Sequence, residues 1–140
     1  MTTWEAEKTL VRTPMIDNWD FSAAPVAWPG QDFDPPSRTG DRSAPAIWLD
    51  FDVDYAGSEF LASGTMTRHK FAAFDIAILV EPIVGHDLIH RQKADLLESY
   101  YGAASGASIV FRTMEATLSD VFLWEDTWLR ADWVCPFWVF

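Results

Sequence analysis

Asp50, Asp52 and Asp54 form a D-x-D-x-D run, the pattern that most directly suggests a metal site. A hard cation gathers oxygens at roughly 2.1–2.6 Å around one centre. Alternate residues of a strand lie about 6.6 Å apart, so a straight strand does not converge its carboxylates. Calcium motifs of similar spelling are loops turned by a glycine. The three aspartates therefore read as a solvated face, or as a charged seam between subunits. Arg68 and Lys70, also two apart, are candidates for the opposite side of that seam.

His86 and His90 stand four apart, a spacing that can present both rings on one helix face to zinc. The segment "HDLIH" places Asp87 where a metalloprotease carries its general-base glutamate, and no third ligand follows from local spacing. The expectation is a surface histidine pair. Cys135 has no second cysteine to pair with and lies between apolar neighbours, so it reads as a packed, inert thiol. There is no G-x-S-x-G elbow, no G-x-x-x-x-G-K loop and no G-x-G-x-x-G loop. No catalytic residue, metal or cofactor is assigned, and the chain is not read as an enzyme.

The bulk composition narrows the classes further. With 49% hydrophobic and 22% charged residues the chain has the makeup of a folded domain, and its 140 residues suit one domain. Twenty-one acidic against ten basic residues give a net charge of −11, and no basic run is present to grip phosphates. The first dozen residues lack the apolar stretch of a secretion signal, and no apolar run is long enough to span a membrane. Aromatics make up 15%, which points to a large core, a large interface or both.

The elements that must position these residues can be read in order. Residues 3–12 suggest a short helix, with Thr3 as cap and Ala6 and Leu10 as a weak stripe, ended by Pro14. A short extended segment surrounds Val26 and Trp28. Residues 29–45, rich in Pro, Gly, Asp and Ser, form a long irregular loop. The run from Ala46 to Tyr55 alternates cleanly: Ile47, Leu49, Phe51, Val53 and Tyr55 point one way, and Trp48 and the three aspartates point the other. Ala56, Gly57 and Ser58 read as a turn. A long strand follows, or two with a bend near Gly64, and residues 71–80 are apolar on both faces apart from Asp75. Residues 85–101 read as a helix opened by Asp87, with Ile89, Leu96 and Tyr100 on its apolar side, Leu97 and Tyr101 adjoining it, and Gly102 as its stop. The remainder reads as strands: one over 107–117, then one or two more. In the last, Trp133, Cys135, Phe137 and Val139 share one face, and Val134, Pro136, Trp138 and Phe140 share the other. Both faces are apolar and Pro136 lacks a donor. That suggests an edge strand covered by a neighbouring chain through Trp133, Val134, Phe137, Trp138 and Phe140.

Trp28, Phe33, Pro35 and Pro36, the strand from Thr67 to Val80 with Arg68 before its apolar part, and the directly following "GHDLIHRQKADLLESYYG" carry a family likeness. Taken with the order of elements over about residues 4 to 139, the chain resembles the tail terminator (tail completion) proteins of long-tailed bacteriophages and phage-like gene transfer particles. The C-terminal aromatic run is heavier than in that family, and only Gly57 and Gly64 stand where a Gly-rich turn is usual. The resemblance implies an α+β fold, a mixed, mainly antiparallel sheet with an N-terminal helix and a longer helix packed on it. It implies a hexameric ring at the head-proximal end of the tail tube. That ring ends tube polymerisation, contacts the tail tube protein and a head connector or stopper protein, and lets DNA pass without specific binding. The expected location is the virion, with assembly in the host cytoplasm. Ring closure needs two different patches on each subunit. The apolar last strand is one candidate. The loop, with Asp32, Phe33, Asp34 and Arg38, is a contact for tube or connector. Asp50, Asp52 and Asp54 are candidates for the lumen, where six copies would carry six times the charge of one. Another neck or tail-tube subunit is the near alternative. A small acidic enzyme, or a ligand-binding module using exposed tryptophans, is the distant one.

Overall fold

The computed structural model describes residues 4–52, 58–61, 68–83, 87–106 and 108–140. Among these residues, two helices pack on one face of a single eight-stranded sheet. The strands are β1 (Val26–Ala27), β2 (Ile47–Asp52), β3 (Ser58–Leu61), β4 (Arg68–Val80), β5 (Ile109–Phe111), β6 (Thr117–Leu118), β7 (Phe122–Trp124) and β8 (Trp128–Val139). β1 lies parallel to β2, and the other pairings are antiparallel. The architecture is α+β, as expected.

The two long strands form the spine. β4 and β8 pair along their length, from Lys70 opposite Val139 to Val80 opposite Leu129. The other side of β4 is taken by β2 and β3, and the other side of β8 by β5, β6 and β7 in succession. β8 is therefore an interior strand, which corrects the edge-strand expectation. Pro136 explains how an interior strand tolerates the residue. Its carbonyl accepts the Arg112 amide, so its donor-less nitrogen faces the same side. There the neighbouring chain leaves the ladder between β5 and β6 through a 3-10 turn at Thr113–Glu115. The single strand expected over 107–117 is split at this point.

Burial follows the strand period of two. Leu49, Phe51, Ala72, Phe74, Ile76, Ile78, Val80, Trp133, Cys135, Phe137 and Val139 point to the helices and are buried. Phe74 sits at the centre, with the rings of Phe51, Tyr101, Phe111, Trp133 and Phe137 all within 5.9 Å of its own.

Both helices run past their expected ends. α1 (Trp4–Asn18) contains Pro14 instead of stopping before it. Proline removes one backbone hydrogen bond and crowds the preceding turn, a cost of about 3 kcal/mol. Beyond it Met15 is completely buried and Trp19 nearly so, and Asn18 Nδ2 donates to the Pro14 carbonyl at 2.9 Å. Burying two such side chains gives back about 1.5–3 kcal/mol each. The buried stripe is Val11, Met15 and Trp19, and the expected Leu10 packs beside it, partly buried. Thr3 lies outside the described residues.

α2 (Asp87–Ala104) passes through Gly102 without a left-handed stop. The Thr113 hydroxyl of the 3-10 turn lies 3.4 Å from where a Cβ would stand, so the turn packs against α2 at Gly102. The buried face of α2 is His90, Ala94, Leu97 and Tyr101, while Leu96 is exposed. The Tyr101 hydroxyl donates to the Val11 carbonyl at 2.7 Å and ties the helices together. Among the described residues no helix is long and apolar enough to cross a membrane.

Candidate functional site: the outer face of the sheet

The face of the sheet turned away from the helices holds the aspartates and the apolar band that the sequence singled out. Cross-strand register divides it into three bands. At one end Trp48, Ala77, Leu79 and Trp128 form a second small core, capped by Phe33 from the long loop and Trp124 from β7. Trp48 is the hub, 5.2 Å from Phe33, 5.9 Å from Trp124 and 6.0 Å from Trp128 between ring centres. Phe33 is thus an anchor that holds the loop down, while Asp32, Asp34 and Arg38 are exposed along it.

The middle band is acidic. Asp50 pairs with Ala77, which pairs with Asp132, and Asp52 pairs with Asp75. Burial raises the Asp50 carboxyl above its ordinary value; the neighbouring Arg130 opposes this, and Asp52 and Asp132 add to it. Arg130 is the local counter-charge: its Nε donates to Asp132 Oδ1 at 2.8 Å, and its guanidinium lies 5.5 Å from the Trp124 ring centre. Asp52 is exposed. Asp54 lies outside the described residues. The register does not bring Arg68 or Lys70 to these aspartates: Arg68 pairs with Leu61, and Lys70 with Glu59 and Val139. Among the described residues the ladder therefore pairs neither Arg68 nor Lys70 with an aspartate.

The far band is apolar and incompletely covered. Phe71, Ala73, Val134, Pro136 and Trp138 are half-buried, and Phe140 is 42% exposed. The Trp138 ring lies tilted against Phe71 at 5.0 Å and stacked with Phe140 at 6.4 Å. This corrects the interface set: Trp133 and Phe137 lie on the helix side, completely buried in their own core, and offer nothing to a neighbour. Val134, Trp138 and Phe140 lie on the outer side.

Three other residues find their places. Cys135 is buried, and burial pushes its thiol up to about 12, with the charge of Glu98 adding to the shift. His90 is buried rather than on the surface, because β8 passes over it; its Nε2 lies 2.9 Å from the Leu129 carbonyl and must carry the proton. His86 lies outside the described residues. Among the described residues no group of three His, Cys, Asp or Glu is gathered as metal ligands.

Glu81 was not singled out from the sequence. It directly follows β4, is almost fully buried, and accepts hydrogen bonds from the amides of Thr39, Gly40 and Ala46 and the Thr39 hydroxyl, at 2.7–3.1 Å. It pins the end of the long loop to the sheet. A glutamate closing an apolar strand just before Pro82 is the signal that marks it.

No family model matches the sequence, and no curated protein does. Among solved structures, a protein known by a sequence identifier alone is 15% identical, covers 95% of each chain and superposes with a TM-score of 0.57. At that identity the likeness shows the fold alone: this chain shares the α+β architecture of that structure.

Proposed function

We propose that this chain is a structural subunit of a phage-type particle, a tail terminator. It forms a ring at the head-proximal end of the tail tube, ends tube polymerisation and joins the tail to the head connector. DNA passes through its centre without a sequence-specific grip, and its place is the virion. The observation that carries this reading is the outer face of β8. A band containing Val134, Pro136, Trp138 and Phe140 is left partly open to water, beside a row of aspartates. Solitary proteins seldom leave a contiguous apolar face of this kind open. The order of elements and the resemblance described above supply the rest. The acidic row suits a lumen that repels phosphate, and the pinned loop with Asp32, Asp34 and Arg38 suits contact with tube or connector.

Native mass spectrometry and electron microscopy of the purified chain test the proposal. A closed ring is expected, and adding it to polymerising tube protein should fix tube length. A stable single chain at high concentration would sink it.

A further inference from the structure

Two exposed features stand at opposite ends of the sheet edge formed by β5, β6 and β7. At one end Val110, Arg112, Trp138 and Phe140 line a shallow groove of about 390 Å³. At the other the β7–β8 hairpin projects an apolar knob: Val121, Phe122 and Leu123 are 36%, 44% and 55% exposed. Acidic residues flank the knob, with Asp120 before it and Glu125 and Asp126 at the turn. The turn itself is unusual. Glu125 and Asp126 have φ of 51° and 56°, and the Thr127 amide closes the turn on the Trp124 carbonyl at 3.1 Å. Such hairpin turns favour Asn-Gly, because other residues meet a steric cost at positive φ. Two carboxylates are held at the tip despite that cost.

We propose that the knob of one copy docks into the groove of the next. This rests on the ring reading above and names the two patches that its head-to-tail interface requires. Phe122, on the outer side of the sheet with Arg130, would enter the apolar groove while Leu123 packs against its rim, and the carboxylates around them would meet Arg112. That guanidinium already bonds Glu115 of its own chain and is 39% exposed; its fork has five donors to share. In a chain of net charge −11, an arginine at the rim of an apolar groove selects an acidic partner. The knob cannot fill its own groove. Phe122 pairs with Arg130 and Val110 with Trp138, eight residues or about 26 Å apart along β8. Repetition of this contact leaves the acidic row between successive interfaces, once per copy.

The test uses two variants of the full chain and a mixture of them. F122D/L123D spoils the knob, and V110D/R112E spoils the groove. Each alone should fold, by circular dichroism, and have the mass of one chain. Mixed in equal amounts they share one intact knob and one intact groove, so they should form a dimer of one each and stop. Generic destabilisation does not produce that recovery. If a substitution prevents folding, the milder L123S and R112Q carry the same test, with a tenfold or greater weakening of assembly expected of each. Variants that keep the wild-type mass, or a mixture that stays at single-chain mass, overturn the docking proposal while the ring reading stands. A wild-type chain of single mass at every concentration removes both.

Discussion

The fate of individual residues here is set by what surrounds them rather than by their type. Burial alone would raise the Glu81 carboxyl, but donors from Gly40, Ala46 and Thr39 outweigh it and hold the group at about 2, below its ordinary 4.5. A depressed carboxyl stabilises the fold fully above its unfolded value and loses that contribution as pH falls through the folded one. The loop should therefore open between pH 4.5 and about 2, read as faster exchange of the Thr39, Gly40 and Ala46 amides. Glu81→Gln should open it at neutral pH, because an amide nitrogen would face the backbone donors. Unchanged exchange in the variant would remove Glu81 from this role. Cys135 gives the opposite case, a group raised to about 12 by burial. The thiolate is the reactive form. Cys135 should resist alkylation at neutral pH until the chain unfolds, and then react at once; rapid labelling of native protein would contradict its placement in the core.

At the scale of elements, the hairpin tip sets local stability against assembly. Replacing Glu125 and Asp126 with Asn and Gly should stabilise the separated chain by about 1 kcal/mol, since both positions have positive φ. It should also weaken assembly, because the tip loses its carboxylates. Denaturation at a concentration where the chain is dissociated, compared with native mass at a higher one, separates the effects. A tip exchange that leaves assembly intact would limit the contact to Phe122 and Leu123. The sequence made these elements legible where burial is one-sided. The alternation of β2 reads correctly because Leu49 and Phe51 face the helices while Asp50 and Asp52 do not. Element ends and neighbours were not legible. Pro14 looks like a helix stop, yet the burial of Met15 and Trp19 decides otherwise, and Gly102 lies inside α2 rather than past its end. Pro136 looks like an edge residue because a sequence does not reveal that the neighbouring chain leaves the ladder beside it. The apolar character of β8 was legible, but the division of its faces between core and surface depends on which side the helices take.

For the whole molecule, the central question is why an acidic row crosses the middle of the outer face. Its cost appears in Asp50, whose carboxyl burial raises above its ordinary value of 3.8, with Arg130 only partly opposing. A raised carboxyl opposes folding once it ionises, and that opposition disappears as pH falls below its ordinary value. Asp50→Asn should therefore raise thermal stability at neutral pH and have no such effect in acid. A carboxylate kept at a cost to its own fold is consistent with a purpose outside it. In the proposed ring, the row recurs in each subunit between neighbouring interfaces, and its charge would keep passing phosphates off the wall. Neutralising Asp50, Asp52 and Asp54 together should leave ring mass unchanged while slowing DNA delivery from assembled particles. The deficit should shrink at high salt, where the repulsion is screened in the parent as well. Delivery at the parental rate at low salt, from particles carrying a fully assembled variant ring, would mean that the row does not serve the passage of DNA.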